Sequence, residues 1–469
     1  MSKRRGTPVS RPRHGAPGRR ITPPRSPHDQ VRAEAARVLE RTLASRSPVD
    51  SFLEAASVRC DPRDVGLLWE LVLGALRWLR RLDHVIARAS DRPLDRIEPA
   101  LLAPLRIGVY QLLFLDRVPS HAVVNEAVEH ALAVTHRGGA SFVNAVLRRV
   151  ARDPTLAAWP VEEKDPVRRL ALELSHPDFL VEGWWRRLGA EATRRLLLAN
   201  NRPKPMHLLA FRDHGGRELL AESLIDEGCE VEASALSPLG LKVRGGAPLE
   251  TAAYRRGDFY VQDEAAQAAS LVPPPAPGER VLDVAAAPGG KSFALQALEP
   301  SVDCVLADSA PDRIGLVRAN LRRLRRCVPL IVADARRPPF TSRWDRVVVD
   351  APCSGSGTLR KHPELKWRLS PPEVSRLAEQ SLALLASSSG LVRPGGLLVL
   401  ITCSLEEEEN ERVIERFLAH GREFEPLDLE RSLDGKTAQH ITGPGLWRVW
   451  TDGDHDGFTA AVMVRDPAS

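Results

Sequence analysis

The feature that most constrains the fold is the alternation of short apolar runs with amphipathic stretches that begins near residue 256. Each amphipathic stretch has the spacing of a helix, whereas each apolar run is rich in valine, isoleucine and leucine and has the length of a strand. Apolar strands that alternate with helices are typical of a mostly parallel sheet covered on both faces. The predicted strands are RVLDVA (280–285), DCVLADS (303–309), PLIVADA (329–335), RVVVDA (346–351) and LLVLITC (397–403).

The rest of the chain divides into parts of different character. Residues 27–155 carry apolar side chains at helical spacing and are predicted to form an all-α domain. Residues 156–255 combine a long helical stretch with short strand-like runs, which predicts a small α+β module. Residues 1–26 contain eight lysines and arginines and no acid. We predict a disordered basic tail that either binds nucleic-acid phosphates or serves as a solubilising leader. The α/β domain then covers 256–469.

Composition argues against several classes of protein. No window approaches the ~18 uninterrupted apolar residues of a membrane span, and the basic N-terminus lacks the apolar core of a secretory signal. We therefore expect a cytoplasmic protein, and the formal net charge of +5 weakly favours a polyanionic partner. The cysteines form no CxxC pair, so we expect neither a zinc site nor a disulfide framework. They are Cys60, Cys229, Cys304, Cys327, Cys353 and Cys403.

The loop after the first strand of the α/β domain, in RVLDVAAAPGGKS (280–292), consists of small residues that let a backbone approach a ligand closely. Three interpretations compete. A dinucleotide-binding GxGxxG pattern is absent. A phosphate-binding GxxxxGK[ST] loop fails only at Ala285, where its first glycine belongs. The third interpretation is the cofactor loop of an S-adenosylmethionine (SAM) methyltransferase, with Asp283 at the end of the strand.

Acidic residues at four successive strand ends discriminate between these interpretations. Ligands of such sheets bind outside the carboxyl ends of the strands. There, four carboxylates would repel a nucleoside triphosphate but would suit the positive sulfonium of SAM. Asp308 is placed to accept hydrogen bonds from ribose hydroxyls, and Asp334 to accept one from an adenine amino group. Any one of these acids alone fits a helix N-cap, but a series of four favours SAM. The series is Asp283, Asp308, Asp334 and Asp350.

Two cysteines lie at the same predicted edge of the sheet, Cys353 after one strand and Cys403 at the end of another. The aromatic [DN]PP[YFW] clamp expected for methylation of an exocyclic amine is missing after Asp350. A thiolate instead suits a pyrimidine carbon, because its addition to C6 of cytosine activates C5 towards a methyl group. A strand end beside a helix N-terminus can lower the pKa of a thiol. This chemistry leaves open which cysteine attacks and which assists release.

Three motifs make a resemblance specific, and together they resemble the RNA cytosine-C5 methyltransferases of the Sun/Fmu type. The sequence is nearest to the bacterial members that act on 16S ribosomal RNA. Residues 105–131 resemble the NusB-like helical domain of those members, and the resemblance covers about 28–465. It implies an all-α NusB-like domain, a small α+β module and a Rossmann-like α/β catalytic domain. The motifs are LDVAAAPGGK (282–291), VVVDAPCSGSGTLRKHPELKW (347–367) and LVLITCSLEEEEN (398–410).

The resemblance implies a role for each residue of these motifs. It implies that Cys403 is the nucleophile that attacks C6 and that Cys353 assists departure of the enzyme from the methylated base. It implies that Asp350 contacts the edge of the cytosine and that Lys291 serves both catalysis and cofactor binding, with no metal. The residues implied to hold SAM are Asp283, Ala285, Ala286, Ala287, Pro288, Gly289, Gly290, Lys291, Asp308, Asp334 and Asp350.

Two departures from the family pattern need interpretation. Glu407 stands where a proline is common, so Cys403 is followed by the unbroken acidic run Glu406–Glu409. We expect these carboxylates simply to start a helix, where they favour its dipole, with little effect on the site. In the first loop Val284 and Ala285 replace residues that often include a cysteine, and Ala285 is small enough to keep the loop close to its ligand.

RNA has to be held beside the thiols, because the target base must leave its stack to reach them. We predict contacts to flanking phosphates after the Cys353 loop and in the segment that precedes the α+β strands. A solvated basic patch is the alternative interpretation. The expected partner is 16S ribosomal RNA outside a fully assembled subunit, bound by a monomer. The predicted RNA-binding residues are Arg360, Lys361, His362, Lys366, Asn201 and Arg202.

Two other functions compete with this one. The first is the same reaction on transfer RNA, which is disfavoured because the NusB-like domain accompanies the ribosomal members of the family. The second is a non-enzymatic RNA-binding assembly factor with a decayed methyltransferase domain. Decay should have removed some of the strand-end acids or one of the two cysteines, and all of them are present.

Overall fold

The structure is a computed structural model that describes residues 27–157, 163–341, 343–420, 423–433 and 435–468. The predicted basic tail, 1–26, lies outside the described residues. The N-terminal region is helical, as predicted, and its helices enclose a core that contains Leu39, Leu71 and Leu105. Its helices are α1 (Pro27–Ala44), α2 (Val49–Ser57), α3 (Val65–Arg77), α4 (Leu79–Ser90), α5 (Pro99–Phe114), α6 (Ser120–Val134) and α7 (Arg137–Arg152).

The middle region is an α+β unit, which confirms the second predicted part of the fold. Its four strands form an antiparallel sheet in the order β2-β3-β1-β4. Its elements are α8 (Pro166–Glu173), α9 (Asp178–Asn200), β1 (His207–Ala210), α10 (Gly216–Asp226), β2 (Glu230–Ala233), β3 (Gly240–Gly245), α11 (Ala252–Arg256) and β4 (Phe259–Val261).

The C-terminal region is the predicted Rossmann-like α/β domain, built on a nine-stranded mixed sheet in the order β11-β12-β13-β9-β8-β5-β6-β7, with β10 paired to β13. Its helices are α12 (Glu264–Ser270), α13 (Gly290–Leu298), α14 (Pro311–Arg323), α15 (Pro371–Ser389), α16 (Glu411–His420), α17 (Leu429–Ser432) and α18 (Gly435–Ala438). Its strands are β5 (Arg280–Asp283), β6 (Asp303–Asp308), β7 (Leu330–Val332), β8 (Trp344–Asp350), β9 (Val392–Thr402), β10 (Phe424–Pro426), β11 (Ile441–Gly443), β12 (Leu446–Val449) and β13 (Phe458–Arg465).

Strand β5 lies in the middle of the parallel part of this sheet and is buried on both faces. Because side chains alternate along a strand, Val281 packs into one core with Phe293 of α13, whereas Leu282 packs into the other with Leu385 of α15. Strands β9, β8, β5, β6 and β7 run parallel. Their carboxyl ends therefore meet at one edge, where the predicted site residues lie.

The N-terminal helical region docks against the α/β domain through a short 3₁₀ helix, Pro363–Trp367. The indole Nε1 of Trp367 donates to the Leu76 carbonyl at 2.7 Å, and Arg368 donates to the Thr42 carbonyl at 2.8 Å. We call residues 360–368 the docking segment. It follows directly on the Cys353 loop, so the reactive edge of the sheet is joined to the helical region. No helix among the described residues is long and apolar enough to cross a membrane.

Candidate active site

The loop between β5 and α13 holds its backbone against the end of β6. Ala286 donates its N–H to the Ala307 carbonyl at 2.9 Å. Gly289 has a φ of +107°, and a Cβ at this position would lie 2.3 Å from the Phe293 ring. Glycine satisfies both constraints because it has no Cβ. The loop therefore presents a bare backbone at the carboxyl end of β5, beside the N-terminus of α13.

Asp283 ends β5 beneath this loop and is fully buried. Its carboxylate accepts hydrogen bonds from the Ser292 hydroxyl at 2.8 Å and from the Ala285 N–H at 3.4 Å. Burial raises the pKa of Asp283 to about 7, against the opposing effect of the Ser292 bond and with a contribution from Asp350. Asp283 therefore braces the loop from inside the fold.

The next two strand-end acids, Asp308 and Asp334, differ in their surroundings. Asp308 accepts from the Ala287 N–H at 3.3 Å, and the guanidinium of the half-exposed Arg313 lies 3.4 Å from the same carboxylate. Asp334 lies two residues beyond the end of β7 and pairs with Arg336 at 2.7 Å. Hydrogen bonds from Arg336 hold the pKa of Asp334 at about 2, so this carboxylate is ionised at neutral pH.

Asp350 and Lys291 form an ion pair at the centre of the edge. The Nζ of Lys291, at the start of α13, lies 2.8 Å from Oδ2 of Asp350 at the end of β8. Burial acts to lower the pKa of Lys291, but the Asp350 charge and hydrogen bond, followed by Cys403, outweigh it and raise the pKa. Lys291 therefore keeps its positive charge beside the Cys403 sulfur.

The two predicted cysteines lie together, because β8 and β9 are adjacent parallel strands. Their sulfur atoms are 3.3 Å apart, and both residues are partly exposed. The hydrogen bond to Cys403 and burial raise the pKa of Cys353 well above its ordinary value. Cys353 is therefore the thiol that donates, and the Cys403 sulfur is the acceptor.

The Cys353 loop is clamped to the strand that carries Cys403. Gly357 donates its N–H to the Cys403 carbonyl at 2.9 Å, and its own carbonyl accepts from the Gly457 N–H at 2.7 Å and the Thr451 hydroxyl at 3.0 Å. A Cβ at Gly357 would lie 2.2 Å from the Gly457 carbonyl oxygen. The spacing of the two thiols thus depends on a glycine at this position.

The acidic run after Cys403 does more than start a helix, and that expectation is wrong. Glu409 is fully buried, and its two carboxylate oxygens accept from the Ser354 N–H at 2.7 Å and the Ser354 hydroxyl at 2.5 Å. Glu406 is also buried and accepts from the Trp184 indole at 3.1 Å; burial raises its pKa to about 7. The three-residue spacing of Glu406 and Glu409 was the available signal, since it places both on one side of a helical turn.

Two of the predicted RNA-binding residues, Lys366 and Asn201, are buried in the docking interface, which corrects the prediction. Lys366 has no exposed surface; its ammonium donates to the Asn201 side-chain oxygen at 2.6 Å and to the carbonyls of Arg77 and Ser175. Burial, then the Arg77 charge, lowers the pKa of Lys366 well below its ordinary value. Because its donors are used inside the protein, Lys366 is a structural residue.

Arg360 and His362 are corrected for related reasons. Arg360 is 3% exposed, and its guanidinium donates to the carbonyls of Gly453 at 2.6 Å and Pro203 at 3.1 Å. Burial, followed by nearby cations, lowers the pKa of His362 to about 3, so this imidazole is uncharged at neutral pH. Of the predicted set, Lys361 and Arg202 are exposed and stay predictions.

A Rossmann-like sheet with a small-residue loop after its first strand, acids at successive strand ends and two adjacent thiols defines the class as a methyltransferase. Within the described residues, no group of three histidines, cysteines or acids is arranged to hold a metal ion. Family models match three regions: a 16S rRNA methyltransferase RsmB/F model over 270–463, a NusB family model over 29–152 and an RsmF/B-like ferredoxin-like domain over 176–250.

Relatives along nearly the whole chain agree with these matches. A probable ribosomal RNA small subunit methyltransferase B of Bacillus subtilis is 35% identical, over 85% of this chain and 90% of its own. The ribosomal RNA small subunit methyltransferase B of Pseudomonas syringae pv. tomato is 34% identical, over 92% and 96%. The crystal structure of PH0851 superposes with a TM-score of 0.75 at 26% identity and covers 95% of this chain and 100% of its own. The chain belongs to the RsmB/F family of 16S rRNA methyltransferases, which confirms the resemblance. Family membership implies SAM as the methyl donor.

Proposed function

We propose that this protein methylates C5 of a cytosine in 16S ribosomal RNA through a covalent bond between Cys403 and C6 of the base. The observation that carries the proposal is the pair of thiols 3.3 Å apart, with Lys291 and Asp350 beside them. Two thiols suit a reaction in which one sulfur attacks and the product must later be released. The relatives named as small subunit ribosomal RNA methyltransferases support RNA of the small subunit as the substrate.

The residues at the sheet edge fit SAM. The loop of Ala285, Ala286, Ala287, Pro288, Gly289 and Gly290 leaves the space that a cofactor needs, because side chains at its glycines would fill it. Asp308 and Asp334 are carboxylate acceptors for ribose and adenine, and Asp350 adds negative charge near a sulfonium. Bound SAM supplies an electrophilic methyl group. Asp283 and Lys291 would act from behind this surface, by bracing the loop and orienting Asp350.

The chain's own groups account for the covalent steps. The Cys403 thiolate forms a bond to C6 and places electron density on C5, which takes the methyl group. Loss of the C5 proton to a base and cleavage of the S–C6 bond then restore the ring and the thiolate. Lys291 stabilises the Cys403 thiolate by its charge, and Asp350 contacts the cytosine edge. Cys353, which donates to Cys403 in the resting site, assists the departure of that sulfur.

The test is to incubate Cys353→Ala and Cys403→Ala proteins with SAM and protein-free 16S RNA and to run denaturing gels. We expect Cys353→Ala to accumulate an RNA–protein adduct, since attack and methylation proceed while release stalls. Cys403→Ala should form none. The reverse pattern would make Cys353 the nucleophile. If neither variant traps RNA, transfer RNA is the next substrate to test, and binding of RNA without SAM affinity would favour an assembly factor.

The relatives are bacterial, and we propose that the protein acts in the cytoplasm, as a monomer, on RNA that is not yet fully assembled into a subunit. The mechanism supports the last point, because a base that must leave its stack is more accessible in loops and incompletely folded RNA. Methylation of free 16S RNA, compared with methylation of intact small subunits, tests it. More product on intact subunits would contradict it.

A further inference from the structure

The backbone next to each reactive cysteine is tied to the same buried carboxylate. Glu409 accepts both the N–H and the hydroxyl of Ser354, the residue after Cys353. The Ser354 hydroxyl also lies 3.2 Å from that of Ser404, the residue after Cys403. An oxygen at each end of the carboxylate fixes both the peptide and the side chain of Ser354, so it sets the direction in which the preceding Cys353 side chain leaves the backbone.

Charges of opposite sign flank the two thiols. Lys291 is the cation that interacts with Cys403, whereas Glu409 is the carboxylate whose charge disfavours ionisation of Cys353. The other acids around this turn are Glu406, which is buried, and Glu408, which is 38% exposed and lies 3.5 Å from Arg412. A cation near one sulfur and an anion near the other polarise the pair, so that negative charge is favoured on Cys403.

We propose that Glu409 is a positioning residue that selects which cysteine attacks the base: through Ser354 it holds Cys353 as the hydrogen-bond donor and leaves Cys403 as the thiolate. The inference rests on the proposed function, since it explains why Cys403 is the nucleophile. It assigns to the acidic run a part in the reaction chemistry, although Glu409 itself lies outside contact with the base.

The test compares Glu409→Gln with Glu408→Gln by alkylation of the full chain with iodoacetamide between pH 6 and 10, followed by mass spectrometry of the Cys353 and Cys403 peptides. Glutamine keeps the size of Glu409, an acceptor for the Ser354 N–H and a donor for its hydroxyl, but removes the charge. We expect the ratio of Cys353 to Cys403 labelling to rise about tenfold in Glu409→Gln, as for a change of about one unit in relative pKa. Glu408→Gln should match the unmodified chain.

A second variant separates the bond from the fold. Ser354→Ala keeps the Glu409 carboxylate and its bond to the backbone N–H, and should move the labelling ratio in the same direction by a smaller factor. An unchanged ratio in both Glu409→Gln and Ser354→Ala, or an equal change in Glu408→Gln, would overturn the proposal. Because alkylation needs neither RNA nor SAM, this result can be read even if no cytosine is methylated, so a failure of the proposed function is distinguished from a failure of this inference.

Discussion

Asp283 is the residue through which the site and the stability of the fold are linked. It is fully buried at the end of β5, and burial raises its pKa from 3.8 to about 7. Between these two values the folded chain keeps a proton that the unfolded chain has released. The stabilisation from that proton is complete below pH 3.8 and is lost as the pH rises through 7. The brace of the cofactor loop therefore lowers stability at the pH at which the enzyme works.

Replacing Asp283 by asparagine should remove this pH dependence. Asparagine can still accept the Ala285 N–H and can donate to the Ser292 hydroxyl. We expect the unfolding free energy of the unmodified chain to fall, relative to Asp283→Asn, by up to about 4 kcal/mol between pH 4 and 8, from about 1.4 kcal/mol per pKa unit. Urea denaturation of both proteins without SAM at several pH values measures this.

The matched control is Asp312→Asn, an exposed acid in the first turn of α14. Its stability should follow the pH dependence of the unmodified chain. If the curves of Asp283→Asn and the unmodified chain ran parallel instead, the buried carboxylate would not be titrating in this range.

At the scale of elements, the reactive edge depends on two loops that touch through backbone alone. The Cys353 loop contacts both the end of β9 and the start of β13 at Gly357. Backbone contacts of this kind leave no room for a side chain. The strand ends set the approximate position of the thiols, and this contact sets their separation.

Gly357→Ala should therefore separate the loops and abolish methylation. Its Cβ would meet the Gly457 and Cys403 carbonyl oxygens at 2.2 and 2.9 Å, and overpacking of this kind costs about 1–3 kcal/mol. The control is Gly315→Ala in α14, where a Cβ would meet nothing within 4 Å. That change should stabilise the helix by about 1 kcal/mol. Thermal unfolding and methylation assays measure both, and an active, stable Gly357→Ala protein would contradict the contact.

The sequence predicted the elements better than it predicted the contacts between them. Strands such as β5 and β8 were predictable because their apolar runs are a local property. The roles of Lys366 and Arg360 were mispredicted because a cation in a loop has the same local pattern whether it faces solvent or a docked domain. Glu409 was missed for a similar reason, since the burial of one acid within a run of four depends on the neighbouring Ser354.

At the scale of the whole molecule, the docking segment joins three regions through buried polar contacts. Lys366 contacts the helical region at Arg77 and the middle region at Ser175 and Asn201. Lys361, five positions earlier, is exposed. The two lysines therefore have different roles within one segment.

Lys366→Met should lower the unfolding free energy by about 2 kcal/mol, because it leaves buried carbonyls without a donor, and should leave the salt dependence of 16S RNA binding unchanged. Lys361→Met should have little effect on stability and should reduce the salt slope of binding by about 1, if it contacts a phosphate. Denaturation and binding titrations at several salt concentrations test both. A reduced salt slope for Lys366→Met at unchanged stability would show that this lysine reaches RNA after all.

The continuity of the Cys353 loop with the docking segment gives the enzyme the character of a ruler. Only a few residues separate the reactive sulfur from Trp367, which is bonded to the helical region. An RNA that touches both the helical region and the thiols must therefore present its target at one fixed span from its other point of contact. Selection of a nucleotide then depends on the folded shape of the RNA across that span, and the identity of neighbouring bases becomes secondary.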